Sequence, residues 1–205
     1  MIESRGAALW ASESCGAWSA ALDRYPAVIA GQGVNGLVEL DTWYREALPG
    51  ILAARTPPWL THDELVEVTR WKMKRGVWRE RNRQLVAGNN PALVEATSRD
   101  AFAAVPDPRA PIAILCALAG VGPATASAAL AAHTPGVYPF FDELVAVAIP
   151  GLGPVAFTPA YYARYAERLR ERAAALAAAC PDAGWTAQAV SQALWAASGG
   201  KAGLP

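Results

Sequence analysis

The chain has 205 residues and a mass of 21.6 kDa, with 18 basic and 18 acidic residues and a formal net charge of zero. A hydrophobic fraction of 53% against 18% charged residues excludes an intrinsically disordered chain, and the length suffices to bury a sizeable core. No uncharged apolar run reaches the roughly 18 residues of a membrane span. Met1 to Arg5 lack the basic and apolar regions of an export leader, so a cytoplasmic location is expected. Three widely spaced cysteines, Cys15, Cys116 and Cys180, read as small hydrophobes in a reducing compartment rather than a disulfide framework or zinc knuckle.

Alanine-rich composition and frequent helix punctuation predict an all-α chain of about ten helices, forming one domain over residues 1–205. A first helix is expected from Ser4 to Leu22, broken by the glycine-rich segment Pro26 to Gly36. Asp41 is read as the cap of a helix carrying Trp43, Tyr44, Leu48 and Leu52. Thr61-His62-Asp63-Glu64 is a capping box that opens a helix ended by Gly76, and a basic helix follows from Val77 to Ala87. Asn90-Pro91 caps a helix through Phe102. Further helices are predicted at Ile112–Leu118, Pro123–Ala132 and Asp142–Ile149, then from Thr158-Pro159 to Ala179, where Tyr161, Tyr162 and Tyr165 pack. Thr186 caps the last helix, to Ala197, before a frayed tail. No β-branched alternation with hairpin turns appears, so no sheet is expected.

The stretch Leu118-Ala119-Gly120-Val121-Gly122-Pro123-Ala124-Thr125-Ala126 carries a mechanism. Two glycines allow a sharp turn and a close approach, and the second helix starts with its free N–H groups directed outward, an arrangement that suits a phosphate. An ordinary tight helix–turn–helix connection would use the same residues. This turn, with Thr125-Ala126, Leu130, Tyr138-Pro139-Phe140-Phe141-Asp142 and Val145, resembles the helix-hairpin-helix element of the DNA glycosylase superfamily. The adenine-glycosylase and endonuclease III branches match it without a gap. Trp71-Lys72-Met73-Lys74-Arg75-Gly76 together with Asp142-Glu143 also resembles a side branch to which no function attaches.

The resemblance implies an all-α, two-lobed glycosylase-like array with its hairpin at residues 111–133, and it makes Asp142 the catalytic carboxylate. It also implies phosphate binding by Gly120, Val121, Gly122 and Thr125, with a monovalent cation at the hairpin carbonyls. Ala124 stands where bifunctional members carry a lysine nucleophile, so no lyase activity is expected. Only Cys180 lies downstream, so no iron–sulfur cluster is expected. Asp142 also reads as a plain helix N-cap, with Glu143 complementing the helix dipole.

Seven of the 18 basic residues, Arg70, Lys72, Lys74, Arg75, Arg79, Arg81 and Arg83, fall within fourteen positions and meet one acid, Glu80. Such a run suits a phosphate backbone, and the last six are the candidate DNA contacts. Trp71 and Trp78 are candidates to stack on a displaced base, against a core-anchor reading. His62 lies inside the capping box, His133 sits near a helix end where the dipole favours its charged form, and no transition-metal site is expected. Nucleotide and protease motifs are absent, and Gly31-Gln32-Gly33 has no strand before it. The resemblance therefore implies a monofunctional DNA glycosylase-like enzyme of the repair type, with a non-catalytic helix-hairpin-helix DNA-binding protein as the alternative and, more remotely, a helical protein whose hairpin serves a protein partner.

Overall fold

The computed structural model describes residues 5–200, at position 182 the backbone alone; Met1 to Ser4 and the tail from Lys201 lie outside the described residues. The described chain is all-helical, with thirteen α-helical segments. They enclose a single connected hydrophobic cluster to which almost every helix contributes. No helix among the described residues is long and apolar enough to cross a membrane.

The N-terminal third departs most from expectation. The first predicted helix is two, α1 (Arg5–Ala11) and α2 (Cys15–Asp23), separated where Ser14 turns out and accepts the Ala17 amide at 3.3 Å. The predicted break after Pro26 is instead α3 (Tyr25–Gly31), because the proline sits in the first turn, where its missing N–H costs nothing. Gly33 and Gly36, at φ of 67° and 69°, make the turn that follows. Asp41 caps nothing. It lies inside α4 (Leu37–Thr42), which runs through a π-helical turn (Trp43–Ala47) into α5 (Leu48–Ala53).

From residue 61 onward, local signals and structure agree closely. Thr61 caps α6 (His62–Arg75) through the full reciprocal box: Thr61 Oγ1 accepts the Glu64 amide at 3.1 Å, and Glu64 accepts the Thr61 amide at 2.8 Å. The basic helix is shorter than predicted, α7 (Glu80–Ala87), with residues 77–79 outside it. Asn90 caps α8 (Pro91–Ala103). The hairpin consists of α9 (Ala110–Leu115) and α10 (Pro123–His133). Then come α11 (Glu143–Ala148), the long α12 (Pro159–Ala179) capped by Thr158, and α13 (Ala187–Ala197) capped by Thr186. Helix α13 is almost wholly buried between α2 and α12, with Trp195 fully enclosed.

Two cysteines correct the sequence reading. Cys15 at the start of α2 and Cys180 at the end of α12 are joined as a disulfide, with Cα atoms 5.9 Å apart across 165 positions of sequence. Cys116 is free and half-buried, and burial pushes its thiol up to about 11. His133 also departs from its expected charge. It stacks on Phe102 at 4.3 Å, and burial lowers its pKa, so the neutral ring is favoured.

Candidate carboxylate site and basic cleft

The site starts from a buried irregular segment, Tyr138 to Phe141, between α10 and α11. A buried backbone without regular structure must find partners for its polar groups, and side chains from three helices supply them. Ser127 of α10 accepts the Phe141 amide at 2.9 Å, and Gln188 of α13 accepts the Phe140 amide at 2.8 Å. Tyr165 and Tyr162 of α12 donate to the carbonyls of Phe140 and Pro139 at 2.7 and 3.2 Å. Burial pushes both phenols above the ordinary tyrosine pKa and keeps them donors. Asp142, the next residue, is thereby held in place.

Asp142 caps α11, its Oδ1 accepting the Leu144 amide at 2.8 Å. Its Oδ2 accepts Arg75 Nη1 at 2.7 Å. Only 7% of Asp142 and 2% of Arg75 is exposed. The guanidinium lies 4.2 Å from the ring centre of Trp195 and 5.0 Å from that of Phe140, with Trp71 and Tyr25 slightly farther out. Arg75 is thus the internal counter-ion of Asp142 inside an aromatic box and is inaccessible to a nucleic acid. Sequence position could not show this, because α6 buries its 71, 73 and 75 positions together.

Trp71 is likewise unavailable as a stacking platform. It is fully buried, stacks on Tyr44 at 3.6 Å, and donates its indole N–H to Asp41 at 2.9 Å. Asp41, 1% exposed, also accepts from Tyr25 Oη at 2.8 Å and Arg45 Nε at 2.7 Å, which satisfies the buried carboxylate. The core-anchor reading holds for Trp71. Trp78 is 47% exposed and donates to Glu80 at 3.1 Å.

The rest of the basic run spreads over several directions. Lys72 and Arg79 line a cleft of about 350 Å³, and Arg81 is exposed. Lys74 donates to the Asn35 carbonyl, roughly 200° around α6 from Lys72. Arg83 is paired with Glu80 at 2.6 Å, and hydrogen bonds from Arg83 and Trp78 pull the Glu80 carboxyl down to about 2. Arg70 is paired with Glu67.

The hairpin glycines divide into two roles. Gly120 has φ +75°, and a Cβ there would lie 2.8 Å from the Asn82 carbonyl oxygen and from Leu85 Cβ. The close approach predicted for the turn is therefore made by α7. Asn89 also clamps the turn, its amide bonding both the N–H and the C=O of Ala119 at 2.9 Å. The Val121 amide is spent on the Leu118 carbonyl at 3.2 Å, and Thr125 is 2% exposed. Gly122 alone opens into free space, at the start of α10 on the cleft wall. The carbonyls of Leu118 and Ala119 accept hydrogen bonds from the Val121 amide and the Asn89 side chain.

The cleft brings together groups from five parts of the chain: Lys72, Arg79 with Asn82, Gly122, the acids Asp142 and Glu143, and Phe157. Sequence reading missed Asn82 and Phe157. The signal for Phe157 was a lone aromatic in a proline- and glycine-rich segment, where no helix face explains it. Among the described residues, no group of three or more histidine, cysteine, aspartate or glutamate side chains is placed to hold a metal ion. Compared with protein-family models, curated proteins and solved structures, the chain matches none.

Proposed function

We propose that the protein binds duplex DNA across this cleft, as a helix-hairpin-helix glycosylase-like protein, with Asp142 as the carboxylate that assists cleavage of an N-glycosidic bond. The observation that carries the reading is the convergence of Asp142, the open Gly122 start of α10 and the cationic Lys72 and Arg79 on one cleft. A helix start with backbone donors and two cations suits phosphate. A fixed carboxylate beside it would stabilise a developing sugar cation and orient water. The bond from C1′ to the base nitrogen breaks, water oxygen bonds to C1′, and the base leaves with a proton. Ala124 provides no amine, so the proposed chemistry is monofunctional.

One observation favours the non-catalytic alternative. Both Asp142 oxygens are already engaged, and Arg75 compensates the charge that a sugar cation would need. A binding module that keeps Asp142 for its fold would have this arrangement.

Two measurements test the proposal. Duplex affinity should fall with salt, and Arg79→Glu with Arg81→Glu should flatten the log–log slope by about one unit per lost phosphate contact. Base release from a panel of lesion-bearing duplexes in single turnover then decides the chemistry. Binding without release from any lesion selects the alternative, and salt-independent or absent binding rejects both readings.

A further inference from the structure

We propose that the disulfide between Cys15 and Cys180 is a redox-controlled clasp, which a dithiol reductant opens in the folded protein and whose opening loosens the loop that carries Asp142. The proposal rests on the DNA-binding reading only for the compartment, because a protein at chromosomal DNA works among reducing thiols, where bridges are usually transient or redox-sensing. The bridge lies within reach of a reductant. Both cysteines are partly exposed, their neighbours Ser14, Gly16 and Ala179 are exposed, and exposed bridges are the labile ones. From Cys180 the chain runs through a single 3-10 turn (Pro181–Ala183) and Gly184 to Trp185 and the Thr186 cap of α13. Two residues further, the Gln188 side chain accepts the Phe140 amide at 2.8 Å, and the Gln188 amide donates to the Pro135 carbonyl at 3.1 Å. A short stretch of chain thus joins the bridge to a side chain that steadies the Asp142 loop.

The non-covalent hold on that stretch is thin. Pro181, Ala183 and Gly184 are exposed, and Trp185 meets Trp18 of α2 edge-on at 6.0 Å, with its indole N–H buried and without an acceptor. A buried donor left unpaired favours an opening that admits water. The rest of the N-terminal layer is held without the bridge. Trp18, fully buried, donates to the Ser12 carbonyl at 2.9 Å, and Arg172 of α12 donates to the Trp10 carbonyl at 2.8 Å. Opening is therefore local. In the exchange, a reductant thiolate attacks one bridge sulfur and the other leaves as a thiolate. The reductant's second thiol then displaces the first cysteine. Two electrons pass to the bridge, two protons end on Cys15 and Cys180, and the dithiol becomes a disulfide. Cys116 takes no part, since it is half-buried and burial pushes its thiol up to about 11.

A static staple would instead resist reduction until the whole domain unfolds. The test incubates the full chain in glutathione buffers of graded redox ratio, with dithiothreitol as the limiting reductant, and counts thiols by alkylation after a denaturing quench. Amide exchange is followed residue by residue in the oxidised, reduced and Cys180→Ser proteins. In mainly reduced glutathione the bridge should open with the fold retained. Exchange at Trp185, Gln188, Phe140 and Phe141 should then quicken by about 30-fold or more, the equilibrium equivalent of the lower end of a bridge's usual contribution. Amides of α6 and α8 should change far less, and Cys180→Ser should match the reduced protein. A bridge that stays closed until the domain unfolds overturns the proposal, as does unchanged exchange at Phe140 and Phe141 or uniform acceleration at every amide. If Cys180→Ser does not fold, reduced wild type decides alone. Duplex binding is measured in both redox states: its absence from both rejects the DNA-binding reading, while exchange still judges the clasp.

Discussion

Removing the charge of Asp142 should destabilise the protein far more than removing an ordinary helix cap. Asparagine caps helices about as well as aspartate, so a reading confined to α11 predicts a loss of a few tenths of a kcal/mol. The structure adds Arg75, 2% exposed, whose Nη1 lies 2.7 Å from the carboxylate. Asp142→Asn leaves that guanidinium enclosed by Trp195, Phe140, Trp71 and Tyr25 without its hydrogen-bonded counter-ion, Asp41 being the acid that still acts on it, and breaking a buried pair from one side costs about 3–5 kcal/mol. For a chain of this size that corresponds to a fall in Tm of roughly 6–20 °C.

The opposite change should be milder. Arg75→Met places an apolar side chain in the aromatic box, while Asp142 keeps the Leu144 amide and borders the cleft, where water can reach it. A loss of about 1–3 kcal/mol is expected. The double variant, Arg75→Met with Asp142→Asn, removes both charges of this pair and should be more stable than Asp142→Asn alone. Urea unfolding of the four proteins, with m-values compared, measures the cycle. A loss under about 1 kcal/mol for Asp142→Asn, with the two changes additive within about 0.5 kcal/mol, would refute the buried-pair argument. The double variant is also the better background for testing excision, because lost activity there cannot be blamed on an unfolded protein.

Three further outcomes are expected. The folded-state pKa of His133 is depressed by burial, so its contribution to stability is complete above the unfolded value near 6.5 and is lost as pH falls toward the folded value; His133→Gln should flatten that part of a stability–pH curve, and identical curves between pH 7.5 and 5 would contradict it. Thiol titration in denaturant without reductant should find one reactive cysteine, Cys116, and three after reduction, and Cys15→Ser should cost roughly 2–5 kcal/mol because the bridge closes a loop of 165 positions. Gly120→Ala should destabilise by about 1–3 kcal/mol, since its φ is positive and α7 fills the space of a Cβ, whereas Gly122→Ala should stay within about 0.5 kcal/mol; equal effects in thermal or urea unfolding would mean that α7 does not sit on the turn.

The sequence by itself determined what is decided within one helical turn. Thr61 with Glu64, Asn90 before Pro91, Thr158 before Pro159 and Thr186 announce their helices because a side chain and a nearby amide settle the matter locally. The same logic placed Asp142 as a cap and the Gly120–Gly122 turn between two helices. It failed where a local signal was outweighed by packing, as at Asp41, whose buried carboxylate serves Tyr25, Trp71 and Arg45 instead of a helix end. Tertiary structure alone decided what became of the basic run. Each residue along a helix turns roughly 100°, so neighbouring cations of α6 face different surroundings: Lys72 the cleft, Lys74 the Asn35 carbonyl, Arg75 the core. The pairing of Cys15 with Cys180 and the meeting of Phe157 with Asn82 and Gly122 were equally hidden, because partners so distant along the chain are chosen only when the helices pack.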